Sequence, residues 1–178
     1  MSARREELLT IAERVLEADG LEEFGLGSIA RTAGIRTPSL YKHFTNLADL
    51  EHALMSRGFW RLAAALDAAA VDQSADAREQ NPLTAFARAY RTHATVHPQL
   101  YRLMTERPLD RTLLEPGAEE AAMRALLNYF DETVGSHDHA RAAWSCAHGL
   151  VSLELAGRFP PGSNIDAAWD FYTSAFTR

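Results

Sequence analysis

Cysteine is nearly absent. Cys146 stands alone among 178 residues, so no disulfide within the chain braces the fold, and a reducing compartment is the natural setting. Long apolar runs are missing too. No stretch nears the roughly 18 apolar residues of a membrane helix, and Met1–Glu7 carries acids where a signal peptide has its apolar core. We therefore expect a cytoplasmic protein with no membrane segment. Val, Ile and Thr are sparse, no alternating strand pattern survives, and Ala, Leu, Arg and Glu dominate, which predicts an all-α fold. Repeats, low-complexity tracts and Pro-rich linkers are absent. So are a Gly-rich phosphate loop, a Gly-x-Ser-x-Gly turn and an acid–base pair, and we expect neither an enzyme nor a cofactor.

What is present is ample. The chain is 47% hydrophobic and 24% charged, and a chain of this length buries roughly 70% of its unfolded surface without a metal or disulfide. The net charge is −6, which argues against indiscriminate coating of nucleic acid. The charge is uneven, however. From Phe24 to Ala48 there is no acid, while Arg31, Arg36 and Lys42 are present and Glu22, Glu23, Asp49 and Glu51 flank the window. A short positive face on an acidic protein fits local contact with a polyanion.

Helix breakers divide the chain into about nine helices, over 4–18, 26–33, 37–44, 46–71, 81–97, 98–105, 118–134, 138–157 and 165–177. Gly20, Gly34, Pro82 and Pro98 supply the sharpest stops and starts, Asn46 caps the fourth helix, and 72–80 and 106–116 read as loops. Residues 1–46 form one unit, and residues 47–178 a second, continuous with it through the fourth helix.

The run from Ser28 to Phe44 has a definite geometry. Ile29, Ala30 and Ala33 make the apolar face of one short helix, Gly34 permits the positive φ of a sharp turn, and Ile35 plugs between the helices. Leu40 and Phe44, four apart, anchor the second helix to the core. Two helices joined by a short glycine-containing turn are a helix-turn-helix. Thr37 can cap the second helix, with Pro38 in its first turn. Thr37, Ser39, Tyr41, Lys42 and His43 remain for the outer face, all hydrogen-bonding types, which suits a helix in a DNA major groove. Arg4 and Arg5 either trail along a groove or fray.

These residues carry a resemblance. Arg5-Glu6 through Ile11-Ala12, Ile29-Ala30 with Ala33-Gly34-Ile35, and Leu40-Tyr41-Lys42-His43-Phe44 followed by Asp49-Leu50 resemble the N-terminal DNA-binding domain of the TetR family of bacterial transcription regulators. The resemblance implies that Thr37, Pro38, Ser39 and Lys42 lie against base edges or nearby backbone and that Tyr41 and His43 hold phosphates. It also marks three departures. Gly25 sits where a capping hydroxyl usually stands, Leu47 where a Lys usually meets phosphate, and Arg36 where a Ser usually caps, so that Thr37 takes the cap and Arg36 reaches phosphate or guanine.

The second unit supplies a pocket and a partner face. Trp60, Phe86, Tyr90, His93, Tyr101, Trp144 and His148 are the candidate ligand-binding residues, aromatic or polar-tipped side chains that serve equally well as core. Residues 138–157 are apolar on two faces, with Ala140, Trp144, Ala147, Val151 and Leu155 on one and Ala143, Cys146, Leu150, Leu153 and Gly157 on the other. Residues 165–177 repeat this, so a homodimer through both helices is expected. Cys146-Ala147-His148-Gly149 resembles a Trp/Ala-His-Gly run that begins a C-terminal domain type in some of these regulators. His93 and His97, four apart, and His137 with His139 lack the further ligands of a metal site, and Cys146 and His148 point apart on a helix. The resemblance implies a repressor that binds a palindromic double-stranded DNA operator as a homodimer and is released by a small-molecule effector. The three departures leave open a helical small-molecule binding protein with a vestigial DNA-binding unit.

Overall fold

The computed structural model describes residues 2–76, 81–130 and 136–176. Among them the fold is all-helical, with α1 Ala3–Asp19, α2 Leu26–Thr32, α3 Thr37–Leu40, α4 Leu47–Asp76, α5 Pro82–Val96, α6 Pro98–Glu106, a 3-10 turn Arg111–Leu113, α7 Ala118–Leu127, α8 Ser136–Leu155 and α9 Ile165–Ala175. Two compact units result: residues 1–59 with 97–119, and residues 60–96 with 120–178. The helix-turn-helix unit thus takes in more chain than the stretch to residue 46, because Leu50, Leu54 and Met55 of α4 and Leu100 and Leu103 of α6 join its core.

In the first unit, Leu8, Ala12 and Leu16 of α1 meet Ile29, Leu40 and Phe44 in a fully buried cluster. The Ser2 side chain caps α1 through the Arg5 N–H, and Gly20 stops it at φ +83°. Glu17 caps α6 from outside: its carboxylate accepts the N–H groups of Gln99 (3.2 Å) and Leu100 (2.9 Å), placing negative charge at a helix N-terminus. Three neighbouring residues of α4 hold other segments. Arg57 pairs with Glu13 at 2.8 Å and with Glu6 on α1. His52, buried, accepts the Asp110 N–H on Nε2 (2.9 Å) and donates from Nδ1 to the Ala48 carbonyl (2.7 Å), and these partners fix its tautomer. Ser56 accepts the Glu115 N–H at 2.9 Å and donates to the His52 carbonyl at 2.7 Å. Two residues after Ser56, Gly58 faces the side chain of Met104 so closely that a Cβ would collide with its sulfur.

In the second unit, Phe86 and Tyr90 of α5 are buried, as are Leu66, Ala125, Ala143, Ala147, Val151, Trp169 and Tyr172, and the Phe86 ring meets that of Tyr129 edge-on at 5.6 Å. The Tyr129 hydroxyl donates to the Leu66 carbonyl at 2.5 Å, and burial pushes its pKa up to about 12. Arg91 staples α5 to α8 and α9: it holds Glu154 through Nε and Nη2, holds Asp166 through Nη1 (2.6 Å), and lies 5.8 Å from the Trp169 ring. Its pKa is raised, chiefly by the hydrogen bond to Glu154. α8 ends in a Schellman turn, with Gly157 at φ +61° and the Arg158 N–H on the Leu153 carbonyl.

Several expected boundaries shift. α4 runs on to Asp76 through part of the expected 72–80 loop, since no Gly or Pro intervenes; 77–80 lie outside the described residues. α7 stops at Leu127, where turn bonds at Tyr129 and Phe130 take over, and 131–134 of the expected helix fall outside the described residues. α9 is capped by the Asn164 side chain on the Ala167 N–H and ends at Ala175.

His52→Ala removes the acceptor of the Asp110 N–H and empties a buried site, so the unfolding free energy is expected to fall by about 2 kcal/mol, measured by denaturant titration.

Candidate functional site

The helix-turn-helix begins with α2, capped by the backbone of Gly25 with no side-chain bond. Gly34, at φ +66°, makes the turn, and the Ile35 N–H returns to the Ala30 carbonyl at 3.0 Å. Only a residue without a Cβ holds that φ at no cost. α3 then runs from Thr37 to Leu40 and continues as turns to Phe44, whose N–H bonds the Leu40 carbonyl at 3.0 Å. The expected helix to residue 44 is therefore shorter as a regular helix, although Leu40 and Phe44 are both buried, at 0% and 1% exposure. The cap also differs from expectation. Arg36, in extended backbone, occupies the N-cap position and makes no side-chain cap bond, so Thr37 is already inside the helix.

Tyr41 is 54% exposed. Arg36, Pro38 and Lys42 are exposed, and Thr37, Ser39 and His43 are half-buried. All seven predicted DNA-contacting residues thus belong to one short continuous segment around α3, with its two apolar anchors turned inward. Ile35 packs against the same core.

The support beneath this segment was not foreseen. Arg5, expected to trail or fray, is a clamp. Its guanidinium lies 4.6 Å from the Phe44 ring centre, donates from Nε to the His43 carbonyl at 3.2 Å, and pairs through Nη2 with Asp49 at 3.2 Å. Asp49 also accepts the Thr45 N–H (2.7 Å), while Asn46 accepts the Asp49 N–H (2.9 Å). The α4 N-terminus is therefore capped by its own residues, as the sequence predicts for Asn46. Leu47, at the position where the family resemblance implies a phosphate-binding Lys, packs on the core.

The segment is locally positive. Arg4, Arg5, Arg57, Arg91, Arg102, Arg107, Arg111 and Arg141 all sit in ion pairs with carboxylates. Arg31, Arg36 and Lys42 have no such partner among the described residues, because the window around them holds no acid. Lys42 is also the chain's one lysine.

The candidate ligand residues separate. Phe86, Tyr90, Trp144 and His148 come together in the second unit: Phe86 and Tyr90 rings stack at 5.5 Å, Trp144 and His148 rings at 6.1 Å, and Trp144 Nε1 donates to the Tyr90 hydroxyl at 3.1 Å. His93 is buried on the same helix as Tyr90. Trp60 and Trp144 are about 40% exposed, and Tyr101 is buried in the first unit. A residue the pattern missed as polar is Tyr172. Its hydroxyl is buried without a hydrogen-bond partner, and its pKa is raised, first by burial and then by Cys146 and Tyr90 nearby. An open cleft of about 570 Å³ lies between α5, α8 and α9, with Arg88, Arg91, Glu154, Asp166, Trp169 and Asp170 in its lining, and none of the seven candidates lines it. Among the described residues, no group of three His, Cys, Asp or Glu is placed to hold a metal, and no helix is long and apolar enough to cross a membrane.

Two family models match the chain. Residues 8–54 match the family model for bacterial regulatory proteins of the tetR family, and residues 83–176 match the tetracyclin repressor-like C-terminal domain. The uncharacterized HTH-type transcriptional regulator Rv0681 of Mycobacterium tuberculosis is 28% identical over 158 residues, covering 86% of this chain and 71% of that protein. A structure from Rhodococcus sp. RHA1, of unknown function, superposes with a TM-score of 0.76 at 27% identity, covering 100% of this chain and 97% of that one. The multidrug binding protein EbrR, complexed with imidazole, superposes with a TM-score of 0.69 at 21% identity, covering 100% and 97%.

Anchor and face predict opposite mutational outcomes. Leu40→Ala is expected to cost about 3 kcal/mol of stability by leaving a cavity, whereas Tyr41→Ala is expected to stay within about 0.5 kcal/mol; thermal unfolding of the two variants checks both.

Proposed function

The chain belongs to the TetR family of bacterial regulators, which are DNA-binding transcription factors, and on that premise we propose that it is a homodimeric repressor released from a palindromic operator by a small-molecule effector. The observation that carries the DNA-binding part is the acid-free reading segment: Leu40 and Phe44 are buried while Arg36, Pro38, Tyr41 and Lys42 face out with no carboxylate between Glu23 and Asp49. In the proposal, Thr37, Pro38, Ser39 and Lys42 approach base edges or nearby backbone, Tyr41 and His43 hold phosphate, and Arg36, released from capping, reaches phosphate or a guanine edge. The self-capped start of α4 leaves the phosphate contacts to the reading segment.

Uncovered apolar faces support the dimer. On α8, Ala142, Cys146 and Leu153 are exposed, as is Ala156 just past its end, and half-buried Gly149 completes an uncharged stripe of mostly small residues at helical spacing. On α9, Phe171 is 75% exposed, with exposed Ala167, Ser174 and Ala175 beside it. Such stripes allow close helix packing about a two-fold axis. A dimer would present two reading segments one DNA turn apart, about 34–36 Å.

We place the effector against the cluster of Phe86, Tyr90, Trp144 and His148, where the buried Tyr172 hydroxyl is a donor in want of an acceptor. Trp60 and His93, of the same unit, remain candidates of the same proposal, whereas Tyr101 belongs to the first unit. EbrR, a multidrug binding protein of this fold, was solved with imidazole. The effector acts by shifting a population between DNA-competent and incompetent dimers. α4, which starts in one unit and ends in the other, is the covalent route for that shift.

Binding to the DNA upstream of the protein's own gene, titrated with salt, tests the reading. The log–log salt slope is expected to be steep; Lys42→Ala is expected to flatten it by about one per subunit, and Tyr41→Ala to weaken binding with little change of slope. Affinity indifferent to both overturns the DNA-binding role and favours a ligand-binding protein alone. Phe171→Asp with Leu153→Glu is expected to give monomers by light scattering and to abolish high-affinity binding; a persistent dimer rules out this interface.

A further inference from the structure

Seventeen of the chain's eighteen cationic Lys and Arg side chains are arginines, and Lys42 is the exception. Where the protein needs a cation for an ion pair, it uses a guanidinium, as at Arg5, Arg57 and Arg91. A guanidinium stays protonated, whereas an amine that sheds its proton is a nucleophile toward acyl carbon. Lys42 lies two residues past the end of α3, is exposed, and has neither an ion pair nor a hydrogen bond among the described residues. The acids nearest it in sequence, Glu23 and Asp49, lie 19 and 7 residues away, and Asp49 is held by Arg5.

We propose that Lys42 is an acetylation site, modified by an activated acetyl group, and that its modification switches off DNA binding. The ammonium first loses a proton to solvent. The neutral nitrogen attacks the acetyl carbonyl carbon, an N–C bond forms, and the C–S bond of a thioester or the C–O bond of an acyl phosphate breaks. The thiolate or phosphate departs with the bonding electrons, and the second proton passes to it or to water. No electrons are exchanged with an oxidant. The product is a neutral amide, so each subunit loses one positive charge at the DNA face. The inference rests on the DNA-binding reading above.

The test uses the full-length wild-type protein and Lys42→Arg, each incubated with acetyl phosphate in one arm and acetyl-CoA in the other. Intact and peptide masses report acetylation, and binding is measured to the DNA upstream of the gene. The wild type is expected to gain an acetyl group at Lys42 in at least one arm, to lose about tenfold or more in affinity, and to show a salt slope smaller by about two per dimer. Lys42→Arg, treated identically, is expected to keep the affinity it had before treatment, with its α-amino group as the shared reactive control. Duplex added before the reagent is expected to protect Lys42 in the wild type. Lys42 left unmodified in both arms while the α-amino group reacts, or full acetylation with unchanged affinity, overturns the inference alone. Untreated wild type that binds no DNA overturns the regulator reading and this inference with it.

Discussion

A single guanidinium holds the reading segment in register. Arg5 reaches from α1 to the Phe44 ring, the His43 carbonyl and Asp49 at once, and so ties the first helix, the end of the reading segment and the start of α4 to one point. A cation over an aromatic face is worth roughly 0.5–2 kcal/mol, and a partly buried ion pair adds geometric definition more than energy. The value lies in what is fixed. Phe44 is pressed inward from above by Arg5, Leu40 sits one turn earlier, and Tyr41 and Lys42 are left outward by exclusion. The precision of the outer surface is inherited from these inner anchors.

The electrostatics follow a division of labour. Most described arginines are spent internally, each facing one or more carboxylates, and the protein as a whole is acidic. Between Phe24 and Ala48 the pattern reverses, and cations stand unneutralised. An acidic body with one acid-free basic segment favours a defined orientation on a polyanion over general stickiness. Asp49 is the acid nearest this segment, and it is already committed to Arg5 and the Thr45 N–H.

The helices were largely legible because their ends carry strong local signals. Gly20, Gly34, Pro82 and Pro98 act within a turn or two of themselves, and the spacing of Leu40 and Phe44 states which side faces in. What was not legible depends on partners far along the chain. Arg5 reads as a loose terminus until Asp49, 44 residues on, is beside it. His52 and Ser56 look like ordinary polar residues of a helix until Asp110 and Glu115, 58 and 59 residues away, supply the amides they bind. The cap on α3 went to Arg36 because backbone geometry, not side-chain chemistry, fixed where the helix begins. Aromatic residues give a composition without an address: Tyr101 belongs to the first unit and the other six ligand candidates to the second.

Gly58 costs α4 about 1 kcal/mol of intrinsic helix preference against alanine, and Met104 occupies the space a larger residue would need. Positions 58 and 104 are therefore two halves of one volume. In a randomised library, a methyl group at 58 is tolerated where 104 has shortened, and any lineage that lengthens 104 further is committed to glycine opposite it.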